Sequence, residues 1–242
     1  VATMIRFCHN HGLIQITNRP QWHTVTGGAR HYVDKILAGI ADKRLNTPVR
    51  LIERDAAGVR ILTDRGAERF DQVVLATHSD QALALLRQPS AQERELLGAI
   101  RYQPNRAVLH TDVAVMPQRK RAWAAWNYER AADDGRESTR VCLHYWLNLL
   151  QPLTFAQDVL VSLNPVREID PARIIGEYEY AHPVFDLAAI RAQQRLGELQ
   201  GQQHSWFCGA WTGYGFHEDG LKSGLAVAAG LKQQLQAWRE AA

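Results

Sequence analysis

Apolar and polar positions along the chain change period several times, and each change predicts an element. Between 29 and 40, Val33, Ile36, Leu37 and Ile40 recur every three or four positions, which predicts a helix with one buried face. Residues 49–53, 59–63 and 72–77 read as strands, with Ala56-Ala57-Gly58 turning the first pair and Asp64-Arg65-Gly66 ending the second. Val73-Val74-Leu75-Ala76 is an unbroken apolar run, as in a strand buried on both faces of an α/β sheet. Ser79 or Asp80 stands where it would cap a helix over 81–87, and 92–100 reads as another helix.

Upstream, 3–13 reads as a helix end, 13–17 as a short strand and 19–22 as a turn. Residues 106–115, 122–129, 140–148 and 159–163 predict a second sheet, with the polar stretch 130–139 as a hairpin tip. A helix at 187–199, a strand at 205–209 and a last helix at 221–238 follow. In that last helix Leu221, Leu225, Ala228, Leu231, Leu235 and Trp238 repeat at helical spacing. A strand followed by a helix occurs at 72–87 and again at 205–238, with an antiparallel block between. This order predicts a mixed α/β (α+β) fold in which the chain leaves one domain and later returns to it.

The most informative stretch is 206–230, WFCGAWTGYGFHEDGLKSGLAVAAG. It reads as a buried strand, a glycine-broken turn and a helix with small residues along one side. Gly209, Gly213, Gly215, Gly220 and Gly224 remove side chains where a flat polar group can approach the backbone. A helix starting at Asp219–Gly220 would aim its free N–H groups and positive dipole end into that turn. Such an end suits a ligand that gains negative charge. The same pattern also describes a closely packed strand-turn-helix unit that binds nothing.

Phe207, Gly209 and Thr212, followed by Glu218, Asp219, Gly220, Ser223 and Gly224, resemble the C-terminal segment of flavin-dependent amine oxidases and their desaturase relatives. GYGFHEDGLKSG, RPQWHTVTGG (19–28), YWLNLLQPL (145–153), VSLNP (161–165) and YAHPVFD (180–186) are similar to a subgroup associated with cyclopropane fatty-acid synthase-like enzymes. The resemblance runs nearly end to end. It implies FAD, and hydride transfer to flavin N5 from an apolar (fatty-acyl) or amine substrate, in a setting of lipid metabolism. It implies substrate-domain segments at 1–22 and 89–175, and FAD-domain segments at 23–88 and 176–242. The cofactor residues it implies are Gly27, Gly28, Val49, Gly209, Ala210, Phe216, His217, Glu218, Asp219 and Gly220. Trp22 precedes the glycine pair as in the family. Ala210 departs from the pattern, which has a cofactor-binding glutamate there. His217, Tyr145 and Asn148 are the candidates for a chemical role, with His182 a candidate pocket residue.

Dinucleotide-binding folds normally carry G-x-G-x-x-G between a first strand and helix. No such sequence occurs here. The expectation is therefore a C-terminal part of a longer protein, inactive and without FAD when isolated, and able to associate through an exposed sheet edge. The alternative is a flavoprotein-like scaffold that binds a partner or lipid without redox chemistry. A monooxygenase-type flavoprotein would need a nicotinamide site, for which the sequence offers no motif.

Composition narrows the field further. Of 242 residues, 46% are hydrophobic and 22% charged, as in a globular protein. The net charge is +3, and the one basic cluster, Arg119-Lys120-Arg121, reads as a solvated loop, so nucleic acid is not an expected partner. Cys8, Cys142 and Cys208 lie far apart with no C-x-x-C pair, which fits reduced thiols and a cytoplasmic setting. No apolar run reaches the ~18 residues of a membrane span. No H-E-x-x-H, Cys/His quartet or G-x-S-x-G occurs, so neither a metal site nor a serine hydrolase is expected.

Overall fold

The computed structural model describes residues 23–130 and 142–241, together with residues 9, 12, 14, 15, 17, 18 and 21. The elements predicted within 3–22, Trp22 itself, Cys8 and most of the hairpin tip lie outside the described residues. The chain divides into two compact units, one of residues 1–43 and 104–182, the other of residues 44–103 and 183–242.

Among the elements whose residues are all described, α1 (Arg30–Ala38) comes first. It forms where the apolar spacing predicts a helix, but none of its residues is buried, and Ile36 is 64% exposed. Periodicity defines an apolar face; it does not supply a partner for it. β1 (Val49–Asp55), β2 (Gly58–Thr63) and β3 (Gly66–Phe70) make an antiparallel meander in the order β1-β2-β3. Asp55 Oδ1 accepts the Ala57 amide at 2.8 Å and sets the first turn. Gly58 closes it at φ +125°, where a Cβ would stand 2.5 Å from the Phe70 carbonyl oxygen.

β4 (Val73–Leu75) has one buried face: Val73 and Leu75 are buried and Val74 is 42% exposed. The expectation of a strand buried on both faces is corrected here: among the described residues β4 pairs with β10 alone, and its Val74 side is open to solvent. α2 (Ser79–Leu85) is capped one residue earlier than expected, by His78 together with Gln81. Ser90 caps α3 (Ala91–Gly98) in a reciprocal box with Glu93.

β5 (Arg101–His110), β6 (Trp126–Glu129), β7 (Cys142–Trp146), β8 (Leu160–Leu163) and β9 (Ile174–Val184) form a five-stranded sheet in the order β6-β7-β8-β5-β9. Between β7 and β8 lies the one-turn helix α4 (Leu147–Leu150). Asn148 is therefore helical and not a strand residue, so the strand alternation of Tyr145 and Trp146 does not extend to it. α5 (Leu187–Arg195) is capped by Asp186, whose carboxylate accepts the Ala189 amide at 2.9 Å. β10 (Ser205–Phe207) pairs in parallel with β4, Ser205 opposite Val73 and Phe207 opposite Leu75. On the outer edge of β10, Gln200 Oε1 accepts the Phe207 amide (3.0 Å) and Gln200 Nε2 donates to the Phe207 carbonyl (2.8 Å). A side chain thus makes the bonds a neighbouring strand would make.

The last helix, α6 (His217–Ala241), packs by its small face. Val227 is buried with Trp206 and Cys208, and a Cβ at Gly230 would stand 2.5 Å from the Trp206 ring. Of the residues that repeat at helical spacing, Leu231 packs half-buried against this cluster, whereas Leu221 is 58% and Leu225 62% exposed. Close approach to the Trp206 indole is available only to the glycine side, and that decides which face packs.

In the second unit, Ile52, Leu75, Leu96, Leu97, Leu199 and Phe207 belong to one apolar core. Inside it lies an ion pair, Arg54–Glu93, with both side chains 4% exposed. Glu93 also accepts the Ser90 amide (2.7 Å), and Arg54 donates to the Gln88 carbonyl (3.1 Å) and Ser205 Oγ (3.2 Å). Burial pushes the Glu93 carboxyl up, but Arg54 and Ser90 outweigh it and hold the group below its usual range. Every charge is partnered, which makes the burial tolerable.

The five-stranded sheet buries a polar chain. The Asp112 amide donates to His110 Nδ1 (3.1 Å), which assigns the His110 proton to Nε2. Nε2 donates to Ser162 Oγ (2.7 Å), Ser162 to His144 Nδ1 (2.6 Å), and His144 Nε2 to Glu129 Oε2 (2.8 Å). Arg167 Nε meets the other Glu129 oxygen at 2.6 Å. Burial lowers the pKa of His110, nearby His144 lowers it further, and Asp112 opposes them.

Two predictions follow from these networks. Arg54→Ala leaves Glu93 buried without its cation and should cost about 3–5 kcal/mol, read as a lower urea midpoint. His110 has a lowered pKa when folded, so its contribution to stability is full above the unfolded value of about 6.5 and is lost as pH falls below it toward the folded value. Stability of the wild-type chain should therefore drop more between pH 7 and pH 5 than that of His110→Asn, compared by urea titration.

Candidate functional site

The parallel strands β4 and β10 end together, and ligands of α/β sheets bind beyond the carboxyl ends of such strands. The Cys208 amide donates to the Leu75 carbonyl (3.1 Å), and the chain then turns at Gly209. A Cβ there would lie 2.6 Å from Trp211 Nε1, so the position requires glycine. The Gly209 amide donates to Ser223 Oγ of α6 (3.0 Å), and the Thr212 hydroxyl donates to the Gly209 carbonyl (2.8 Å). Trp211 is buried; its Nε1 donates to the Thr77 carbonyl (2.9 Å) beyond β4. Gln193 Nε2 of α5 donates to the carbonyls of Trp211 (2.8 Å) and Gly213 (2.7 Å). The turn is thus tied to β4, α5 and α6 at once.

Asp219 organises the exposed side. Its Oδ2 accepts the amides of Tyr214 (3.1 Å) and Phe216 (3.0 Å). A side chain at Gly213 would collide with this carboxylate. The helix therefore begins at His217, not at Asp219–Gly220 as the sequence predicts. The acid sits inside the first turn and reaches back, so two turn amides are taken by the protein's own anion. The amides of His217, Glu218 and Asp219 have no carbonyl one helical turn behind them and stand at the positive end of the dipole.

Beside this start the helix is bare. A Cβ at Gly220 would meet the Ala210 nitrogen at an ordinary 3.6 Å, and one at Gly224 would meet nothing within 4 Å. Phe216, His217 and Glu218 are exposed, and Glu218 pairs with Lys222 at 3.3 Å. Gly209, Ala210, Phe216, His217, Glu218, Asp219 and Gly220 are brought together in this one turn. Val49 belongs to the same unit but opens the meander opposite Thr63, half-buried against the core. Gly27 and Gly28 belong to the other unit, in a turn before α1 at φ +80° and +94°.

Tyr145 on β7 is half-buried and meets Trp126 edge to face, ring centres 6.2 Å apart. Burial pushes its phenol pKa up. Asn148 braces the loop after α4: its Nδ2 donates to the Gln157 carbonyl and its Oδ1 accepts the Val159 amide, both at 2.8 Å. His182 Nδ1 lies 2.8 Å from Asn105 Nδ2. In the same unit a cavity of about 650 Å³ has Trp126, Leu149 and Leu150 as an apolar wall, with Gln21, His23 and Gln151 among its polar lining.

Residues 3–146 match the family of flavin containing amine oxidoreductases. The chain belongs to this family. Membership implies a flavin cofactor and oxidoreductase chemistry for the family. The turn at 209–220 lies beyond the matched residues. Among solved structures, one of a protein assigned as a protoporphyrinogen oxidase of Exiguobacterium sp. 255-15 is 14% identical. It has a TM-score of 0.62 and covers 96% of this chain and 58% of its own. Putrescine oxidase bound to putrescine is 14% identical with a TM-score of 0.58, covering 86% of this chain and 53% of its own. A CLA-producing fatty acid isomerase of P. acnes is 17% identical with a TM-score of 0.50, covering 75% of this chain and 47% of its own. At these identities the likeness establishes a shared mixed α/β fold. The chain spans about half the length of the solved structures it matches. Comparison with curated protein sequences gave no match. Among the described residues no helix is long and apolar enough to cross a membrane.

Sequence reasoning missed Gln193, which holds the turn from α5, and the use of Asp219 as its internal anion. Asp219 was open to discovery: an acid three residues after Phe216 is spaced to reach back to that amide. Gln193 gave no local signal. Asp219→Ala should destabilise the chain by about 1.5–3 kcal/mol, the range for bonds to a charged acceptor. Hydrogen exchange should speed up at the Tyr214 and Phe216 amides and remain slow at Cys208.

Proposed function

We propose that this chain is the C-terminal portion of an FAD-dependent oxidoreductase of the amine oxidase/desaturase type, oxidising an apolar, fatty-acyl or amine substrate. The observation that carries the reading is the turn at the end of β4 and β10, with its bare Gly220–Gly224 strip and adjacent first-turn amides. These residues fit a flavin: an open backbone surface admits a flat ring, and the dipole end favours negative charge on it. When bound, FAD supplies the hydride acceptor at ring N5.

The chain's own part is positioning. Gly209, Ala210 and Gly220 present backbone, Phe216 presents an apolar ring, and Val49, Gly27 and Gly28 are proposed as further cofactor contacts on the family pattern. Residues 23–88 and 176–242 are assigned to the FAD domain, and 1–22 and 89–175 to the substrate domain. The cavity walled by Trp126, Leu149 and Leu150 is assigned to the apolar part of the substrate, with Tyr145 beside Trp126 as a neutral phenol. The acyl reading rests on the subgroup motifs and this wall. His217 is retained as an exposed candidate donor at the helix start, whereas the carboxamide of Asn148 is engaged by backbone.

A second reading has its own support. Ala210 offers no carboxylate, and Asp219 already takes two turn amides, as suits a scaffold that binds without redox chemistry.

The test is an FAD titration followed by flavin fluorescence and the visible absorption band. The 242-residue chain should bind weakly. A polypeptide extended at its N terminus to the length of the solved relatives should bind one FAD, and Gly220→Glu in that polypeptide should abolish binding while leaving its fold intact by circular dichroism. Stoichiometric binding that Gly220→Glu does not alter would refute the assigned turn, and absence of flavin from both lengths would favour the scaffold.

A further inference from the structure

Among the described residues, one group of three metal-ligand side chains converges: Glu129, Cys142 and His144, their donor atoms all within 4.8 Å of one another. The backbone brings them together. Cys142 and His144 are two apart on β7 and share its inward face, and Glu129 of β6 stands opposite Cys142 in the antiparallel register. Cys142 and His144 are buried, whereas the Glu129 side chain is 21% exposed, so the group has a wet side at the carboxylate.

We propose that Cys142, His144 and Glu129 form a zinc site, with a fourth position open on the Glu129 side. A thiolate, an imidazole and a carboxylate are ligands that Zn²⁺ accepts together. With Zn–S about 2.3 Å and Zn–N about 2.0 Å, the S···N edge of a tetrahedron is about 3.5 Å. Cys142 Sγ and His144 Nε2 lie 3.5 Å apart. His144 Nε2 and Glu129 Oε2 lie 2.8 Å apart, bridged by a proton. The ion replaces that proton, and the N···O edge opens to about 3.3 Å.

The surroundings supply what zinc ligands need behind them. Ser162 Oγ holds His144 Nδ1 at 2.6 Å and is itself held by His110 Nε2 at 2.7 Å. Arg167 holds the Glu129 oxygen Oε1 and leaves Oε2 for the metal. Such outer partners fix ring and carboxylate orientation. Binding expels the Cys142 thiol proton to solvent. On His144 it exchanges an Nε2–H for an Nδ1–H, so the ring stays neutral and Ser162 Oγ becomes an acceptor from both imidazoles. One proton is released per ion, and affinity therefore rises with pH. The bound ion would pin the edge strand β6 to β7.

The experiment titrates the chelator-stripped 242-residue chain with Zn²⁺ by calorimetry in two buffers of different ionisation heat, and with Co²⁺ by absorption. One zinc per chain, one proton released, a sulfur-to-cobalt charge-transfer band and intense four-coordinate visible bands are expected. Cys142→Ser should abolish the charge-transfer band, Cys208→Ser should retain it, and Ser162→Ala should weaken zinc binding about 10–100-fold. Glu129→Gln tests the same site should Cys142→Ser fail to fold, and should weaken binding at least tenfold. No uptake by the folded chain, weak six-coordinate cobalt bands without sulfur charge transfer, or uptake unchanged in folded Cys142→Ser or Glu129→Gln would each overturn the site.

Discussion

The buried contact between Arg54 and Glu93 fixes more of the second unit than any apolar neighbour does. An isolated charge at that depth is intolerable, so both groups must find all their partners at once. Those partners come from four places: β1, the cap of α3, the Gln88 carbonyl and the first residue of β10. One of them, Ser205, opens β10, which runs beside β4 to their common end. The turn at Gly209 stands at that end. A polar requirement inside the core thus positions a backbone feature at its rim, which non-directional apolar packing alone would not do.

Both units carry a polar network, used in opposite ways. Around Gly209–Gly220 the side chains of Thr212, Gln193, Asp219 and Ser223 serve main-chain groups, so rigidity is bought with local bonds and the helix face stays bare. In the five-stranded sheet the histidines serve one another through Ser162, and the chain of donors assigns each proton to one nitrogen. The first arrangement presents backbone outward; the second gathers side-chain chemistry inward. The first is the place proposed for the flavin, and the second holds the side chains proposed for the zinc ion.

Much of the fold was legible because its signals are local. The meander announces itself by alternation and by Gly58, and the strand-turn-helix at 206–230 by its glycines. Capping was less so: Ser90 with Glu93 is a visible box, whereas His78 is an unusual cap residue. The buried face expected of α1 was misjudged because amphipathic spacing says nothing about which neighbour is present, and in α6 it is Gly230 against Trp206 that sets the face that packs. The cluster at Glu129, Cys142 and His144 was invisible because its spacing is set by strand register, with Glu129 thirteen positions before Cys142 in the chain and directly opposite it in the sheet.

Gln200 has a consequence for how the sheet grows. Its carboxamide already bonds both main-chain groups of Phe207 on the outer side of β10. A strand arriving at that edge must displace the carboxamide, trading one pair of hydrogen bonds for another with little net enthalpy. Recruitment there is then governed by side-chain fit against the groove that includes Leu196, Trp206 and Val227, and a poorly fitting strand gains nothing from the backbone. One glutamine thereby turns a generic template into a selective one.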